Sequence, residues 1–214
     1  MVKKKILIVE GNTREENSEF TAVGINTHTE SLIESINFYK KDLDISIANP
    51  SSDNNLKNSI DSLDKYDGMI WGGSSLNIYN DTDEIRRQIS FMRECQLKIK
   101  KIFAICWGLQ VAVTVAGGQV KKSEKGAHRG IAHNIKVNNI GSNHKIYLNK
   151  KRQFNSPAFN FDEVVKIPEG AILLSSNELN NVMGLNFKTN KSDIWGIQYC
   201  LLYTSPSPRD SRVS

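Results

Sequence analysis

The residues Ala104-Ile105-Cys106-Trp107-Gly108 have the form small, any, nucleophile, any, small, set between an apolar run and a helix-compatible stretch. That is the pattern of a nucleophile elbow, a strand-to-helix turn so sharp that bulky side chains two residues either side would collide. A thiol in such a turn stands at a helix N-terminus, where exposed N–H groups and the helix dipole favour thiolate. The backbone N–H of Trp107 would then point at a developing oxyanion. The other reading of Cys106 is a small buried hydrophobe ending an apolar strand. A second loop, Trp71-Gly72-Gly73-Ser74-Ser75, shifts the balance toward chemistry, because two glycines let backbone amides approach a ligand closely. Its alternative is a tight strand-to-loop turn. Together the two loops would frame one pocket at the carboxyl ends of parallel strands.

The elements that must position these loops alternate short β-rich runs with amphipathic stretches, the signature of a parallel sheet covered by helices. Lys4 to Val9 reads as the first strand and the residues after it as a polar loop. Thr27 and Glu30 offer a capping box, and Leu32, Ile33, Ile36 and Tyr39 follow at helical spacing, predicting a helix from about 28 to 40. Ile45 to Ala48 is a second strand, Leu56 to Leu63 a short helix, and Gly68 to Trp71 a third strand. Asp83 is placed to cap a helix whose Ile85, Ile89 and Met92 share one face. Lys101 to Ile105 suits a central strand buried on both faces, and Trp107 to Ala116 a helix stopped at Gly117-Gly118. Beyond Gly130 the pattern turns strand-rich: Ile131 to Val137, Ile146 to Leu148, Ile172 to Ser175, Val182 to Phe187 and Ile194 to Tyr199.

With 214 residues, 39% hydrophobic and 24% charged, the chain suits one large α/β domain without staples. The run Ile6 to Val9 is too short for a signal-peptide core, and no apolar run is long enough to cross a bilayer, so no membrane partner is expected. The net charge of +5 comes from dispersed lysines without interleaved aromatics, which predicts a solvated surface and no nucleic-acid partner. Cys95, Cys106 and Cys200 form neither a metal-spaced cluster nor an even disulfide set. They predict a reducing compartment, the cytoplasm, and neither a metal nor a cofactor.

On these motifs the sequence resembles the class I glutamine amidotransferases, particularly the stand-alone group similar to the GMP synthetase glutaminase domain. Cys106-Trp107-Gly108-Leu109-Gln110 is similar to the family's Cys-x-Gly-x-Gln nucleophile motif, and Gly72-Gly73-Ser74-Ser75 to its oxyanion loop. Ala116-Gly117-Gly118 and Ser156 to Val164 follow in the family's order, so that the resemblance runs from Lys4 to Tyr199. It implies a flavodoxin-like three-layer sandwich with a mostly parallel central sheet and an additional β-rich section. It also implies attack by Cys106 on the glutamine side-chain amide, loss of ammonia, and hydrolysis of a thioester to glutamate. Gly73 and Trp107 would supply oxyanion amides, and Gly72, Gly73 and Gln110 would bind substrate; the other reading of Gln110 is an ordinary polar helix residue. An ammonia-accepting synthetase is the implied partner. Two alternatives remain: a γ-glutamyl peptidase-like hydrolase acting on γ-glutamyl small molecules, and a non-catalytic ligand-binding module.

One departure bears on the chemistry. The family's last core strand ends Gly-x-Gln-Tyr-His-Pro-Glu, with His as general base and Glu orienting it, whereas this chain reads Gly196-Ile197-Gln198-Tyr199-Cys200-Leu201-Leu202. The base is missing at Cys200 and the orienting carboxylate at Leu202, which predicts a chain with little or no activity. Asn160 stands where relatives often carry His. His28, His128, His133 and His144 read as surface or loop residues, although His128 and His133 flank Gly130 and could approach the pocket mouth. The Ser/Pro/Arg-rich segment that follows predicts an unstructured, non-native read-through tail over 200–214, leaving 1–199 as the domain.

Overall fold

The computed structural model describes residues 3–53 and 56–200. Its strands are β1 (Lys4–Val9), β2 (Leu43–Ala48), β3 (Gly68–Trp71), β4 (Lys101–Ile105), β5 (Gln119–Lys122), β6 (His128–Val137), β7 (Gln153–Asn160), β8 (Asp162–Lys166), β9 (Ile172–Ser176), β10 (Gly184–Lys188) and β11 (Asp193–Ile197). The helices are α1 (Arg14–Ala22), α2 (His28–Tyr39), α3 (Lys57–Asp61), α4 (Asp83–Lys98) and α5 (Trp107–Val115). Nine strands form one sheet in the order β2-β1-β3-β4-β11-β10-β9-β6-β7, and β5 and β8 pair separately. From β2 to β11 every pairing is parallel, and from β11 to β7 every pairing is antiparallel. The parallel half has the flavodoxin order, in which the sequence of strands reverses between β1 and β3 and leaves a crevice beyond their carboxyl ends. The α/β sandwich with an appended β-rich section therefore holds.

Alternation along the central strands sorts the core onto two faces. Leu7, Val9, Met69, Trp71, Ile102 and Ala104 pack with Ile85, Phe91, Met92 and Cys95 of α4 and with Leu109, Val111, Ala112 and Val113 of α5. Ile105 and Ile197 join Ala132, Ile135, Ala158 and Leu174 of the antiparallel strands in a second cluster. Register carries the site: Ala104 pairs with Trp71 on one side of β4 and Ile105 with Ile197 on the other. The loops after β3, β4 and β11 consequently leave the sheet side by side.

Several local readings change. The segment after β1 is a helix as well as a loop, because Thr13 and Glu16 close a capping box over α1. The capping box at Thr27 and Glu30 forms as expected. Thr82, rather than Asp83, holds the N-cap position of α4, and Asp83 is its first helical residue. The segment Lys145–Tyr147 is a short 3-10 turn instead of a strand, and the stretch from Leu56 divides into α3 and a 3-10 turn over Leu63–Lys65. Strands β5, β7 and β8 escape sequence reading, the last two because Asn, Pro, Asp and Glu interrupt their apolar alternation. The tail expected to be unstructured over 200–214, with Leu202 in it, lies outside the described residues apart from Cys200. Among the described residues no helix is long and apolar enough to cross a membrane.

Candidate active site

Cys106 occupies the N-cap of α5 with φ 52° and ψ −105°. A positive φ at a non-glycine residue is costly and persists only where the surroundings fix it. Here Cys106 N donates to Ile197 O at 2.7 Å, Gln110 N to Cys106 O at 3.1 Å, and Gly108 N to Gly72 O at 3.1 Å. The small residue two positions on is a steric necessity, because a Cβ on Gly108 would lie 2.5 Å from Trp71 O. The Trp107 ring is anchored by donating from Nε1 to Gln88 Oε1 (2.7 Å), and Gln88 Nε2 in turn donates to Gly11 O (3.0 Å). Sequence reading missed Gln88, a polar residue at helical spacing from Ile85, Phe91, Met92 and Cys95 on the buried face of α4, and that spacing was the available signal.

The Gly72-Gly73 loop is braced from the loop after β1. Ser75 N donates to Asn12 Oδ1 (3.2 Å), Asn12 N donates to Glu10 Oε1 (2.9 Å), and Ser75 Oγ donates to Glu16 Oε1 on α1. Glu10 and Asn12 are buried, whereas the bond from Ser75 Oγ to Glu16 lies at the surface. A cavity of about 550 Å³ opens above the loops and is bounded by four walls. Gly72 to Asn77 form one; Ile105, Cys106, Trp107 and Gln110 a second; Phe159, Asn160, Phe161 and Asp162 a third; residues of α1 and α2, including Phe20 and His28, the fourth. Cys200 also lines it. The structure thus brings Cys106, Trp107, Gly72, Gly73, Gln110 and position 200 together.

The thiol itself departs from expectation. Burial, reinforced by the neighbouring Cys200, pushes the Cys106 thiol up to about 12, against the opposing pull of the Trp107 N–H and of Gln198. Helix-end stabilisation of thiolate is therefore outweighed by desolvation. The protonated form suits the geometry, since Sγ donates to Phe159 O (3.9 Å) and accepts from Gln198 Nε2 (3.5 Å). Cys95, inside α4, is likewise raised by burial and lies outside the cavity.

The histidines need correction. His128 is buried in β6, not a surface residue, and both its ring nitrogens are engaged. Asn180 N donates to Asn177 Oδ1, which turns Asn177 Nδ2 toward His128 Nε2 (2.8 Å). The Nδ1–H therefore donates to Asn160 Oδ1 (2.8 Å), and Asn160 Nδ2 passes the chain on to Asp162 O (3.1 Å). Burial lowers its pKa, so His128 is a neutral strut beneath the third wall rather than a proton acceptor facing it. His133 is exposed, and His144 packs edge-on to Trp195 with ring centroids 4.8 Å apart; neither lines the cavity. His28, read as a surface or loop residue, is half-buried and does line it. Asp162, the one carboxylate among the described lining residues, accepts from Tyr79 OH (3.1 Å), and its pKa is raised by burial.

With an elbow cysteine and a glycine loop meeting at the carboxyl edge of a parallel sheet, the family match is decisive: the class-I glutamine amidotransferase model matches residues 25–200. The chain belongs to the class-I glutamine amidotransferase family. It is 30% identical over 205 residues to a γ-glutamyl-L-1-hydroxyisopropylamide hydrolase from Pseudomonas, covering 93% of this chain and 68% of that protein. It is 26% identical over 141 residues to a component of the glutamine-hydrolysing GMP synthase of Sulfolobus acidocaldarius, covering 66% of this chain and 70% of the relative. It spans about half (49%) of γ-glutamyl peptidase 3 of Arabidopsis thaliana, at 32% identity over 123 residues, 56% of this chain. Among solved structures, a putative GMP synthase component from Thermoplasma acidophilum superposes with TM-score 0.67 at 20% identity, covering 93% of this chain and 84% of that one. A glutamine amidotransferase from Thermotoga maritima gives 0.68 at 15% identity, with coverage of 94% and 77%. These last two likenesses show the amidotransferase fold. The family and its relatives are hydrolases and amidotransferases, so the chain is an enzyme by descent.

Proposed function

We propose that the chain is a cysteine hydrolase of γ-glutamyl amides, glutamine being the smallest of them, with Cys106 as nucleophile. The observation that carries this reading is the strained elbow that lifts Cys106 into the cavity beside Gly72 and Gly73. Sγ attacks the γ-carbonyl carbon and forms a C–S bond. The carbonyl oxygen takes the electron pair and is held by the backbone N–H groups of Gly73 and Trp107. Collapse breaks the C–N bond, the amine leaves with the thiol's proton, and water cleaves the thioester to glutamate. Asp162 suits the substrate's α-ammonium, and Gln110 and Gly72 complete the binding wall. Three free thiols fit a reducing cytoplasm.

The proton needs a carrier between thiol and amine, and position 200 offers a thiol instead of an imidazole. The chain as it stands accordingly binds γ-glutamyl compounds but turns them over slowly or not at all, which is also what a binding module would do. Delivery of ammonia to a synthetase is the second reading, favoured by the GMP synthase relatives. The two separate in a chain whose residues 200–202 read His-Pro-Glu. An amide hydrolase gives a higher kcat/KM for γ-glutamyl alkylamides than for glutamine, and a glutaminase gives the reverse. In the same background Gly73→Val is expected to lower kcat about 100-fold with little change in Tm, because the added branch meets His28 and crowds the oxyanion site rather than the sheet. Unchanged turnover in that variant removes the loop from the site.

A further inference from the structure

A buried amide beside the nucleophile is only half satisfied. Gln198 directly follows β11 and is fully buried. Its backbone N–H donates to Met183 O (3.1 Å), and its side chain reaches Cys106, with Nε2 3.5 Å from Sγ. Oε1 is buried and has no hydrogen-bond partner. A buried amide oxygen in that state is costly, and an apolar side chain of the same shape would avoid the cost. Such a group calls for a reason, and the sulfur it touches supplies one.

The surroundings of the sulfur say what the amide does there. The thiol's own proton is directed at Phe159 O (3.9 Å), so the sulfur turns its lone pairs to Gln198 and the Nε2–H is the donor. Gln198 does not line the cavity, so it meets the sulfur from within the fold and leaves the cavity side open to a substrate carbonyl. The other donor that draws the thiol down is the Trp107 N–H. That N–H is the one assigned to the oxyanion, and a carbonyl oxygen arriving there takes it away from the sulfur. Gln198 then remains on the sulfur while the S–H bond breaks. The proton passes to a base, which is hydroxide or water in the chain as it stands, and the electron pair stays on sulfur to form the C–S bond. A hydrogen bond to an ionised acceptor is about twice as strong as one to a neutral acceptor, so the contact strengthens in the thiolate that precedes attack.

We propose that Gln198 is a further catalytic residue: its side-chain N–H holds the sulfur of Cys106 for attack and stabilises the negative charge on it once the proton has left. An interaction stronger in the charged state than in the resting thiol lowers the barrier to attack instead of tightening substrate binding. The unpartnered Oε1 is stability given up for reactivity. This rests on Cys106 being the nucleophile of the γ-glutamyl amide reading given above.

Alkylation of the 214-residue chain tests it without requiring turnover. Iodoacetamide, which needs no binding site, reacts with the unmodified chain and with Gln198→Met, whose side chain has nearly the same length and no donor. Peptide mass mapping gives the rate at each cysteine. Cys106 is expected to react about ten to a hundred times more slowly in Gln198→Met, the range of one hydrogen bond to a charged group. Cys200, which opens to the same cavity, is the internal control and should keep its rate. Tm should stay level or rise, because the change removes a buried unpartnered oxygen and packs an apolar chain in its place. Gln198→Leu gives the same comparison with a second apolar side chain. An unchanged Cys106 rate overturns the proposal, and so does equal slowing of Cys106 and Cys200 with a fall in Tm, the mark of a merely structural role. A chloroketone analogue of glutamine tests the parent reading separately. It should label Cys106, be slowed by added glutamine, and lose rate in Gln198→Met by the same factor as iodoacetamide. Labelling indifferent to glutamine overturns the γ-glutamyl site, and the catalytic meaning of the bond with it, whatever the iodoacetamide rates.

Discussion

Replacing Cys200-Leu201-Leu202 with His-Pro-Glu is expected to raise γ-glutamyl amide hydrolysis by about two to four orders of magnitude, the usual contribution of a positioned general base. The reason lies in the state of the nucleophile. Burial pushes the Cys106 thiol up to about 12, so at neutral pH almost none is thiolate and a proton must be taken from it during attack. Position 200 is well placed for the group that takes it. Its backbone is pinned from both sides, with Cys200 N donating to Pro157 O (2.8 Å) and Ser156 Oγ donating to Cys200 O (3.1 Å). Its side chain shares the cavity with Cys106. Cys200→His alone should recover only part of the rate, because nothing then orients the ring. Initial rates of glutamate release from the unmodified chain, the single variant and the triple variant give the comparison. Robust activity in the unmodified chain, abolished by Cys106→Ala, would contradict it. In that event His28, the one imidazole among the described lining residues, becomes the candidate base, because His128 has no free ring nitrogen and His133 lies outside.

A methyl group at position 108 should do more damage than its size suggests. In Gly108→Ala the added carbon would meet Trp71 O at 2.5 Å and Trp71 Cβ at 2.9 Å, and the first of these is strand backbone that cannot turn aside. Either α5 moves off β3 or the strand distorts, and both lose the bond from Gly108 N to Gly72 O. Overpacking of this kind costs about 3 kcal/mol, which in a domain of this size lowers Tm by about 6–12 °C. Activity in the His-Pro-Glu background should fall with it, because the same shift separates the elbow from the oxyanion loop. Differential scanning calorimetry and a rate assay on one preparation test both, and an unchanged Tm with full activity would show that the elbow does not need its glycine.

What could be read from the sequence depended on whether a residue's role is local. The elbow and the Gly72-Gly73 loop were legible because strand-to-turn sterics dictate small residues at fixed spacing, and the same holds for the capping box of Thr27 and Glu30. The capping box of Thr13 and Glu16 has an equally plain spacing, but α1 buries none of its side chains, so no apolar periodicity drew attention to it. Long-range partners were not legible. The neutral strut from Asn177 through His128 and Asn160 to Asp162 joins positions far apart in sequence through the pairing of β6 with β7. The placement of His28 against Gly73 follows from how α2 docks beside the loop after β3. The raised pKa of Cys106 reflects how deeply the elbow is buried, whereas local sequence shows only the helix end that opposes it.

The assignment of Cys106 is tested most directly by covalent capture. A diazo-ketone analogue of glutamine, incubated with the His-Pro-Glu variant and followed by peptide mass mapping, should place one label on Cys106 and none in Cys106→Ser. A label on Cys95, or labelling that survives Cys106→Ser, would contradict the nucleophile and the mechanism built on it.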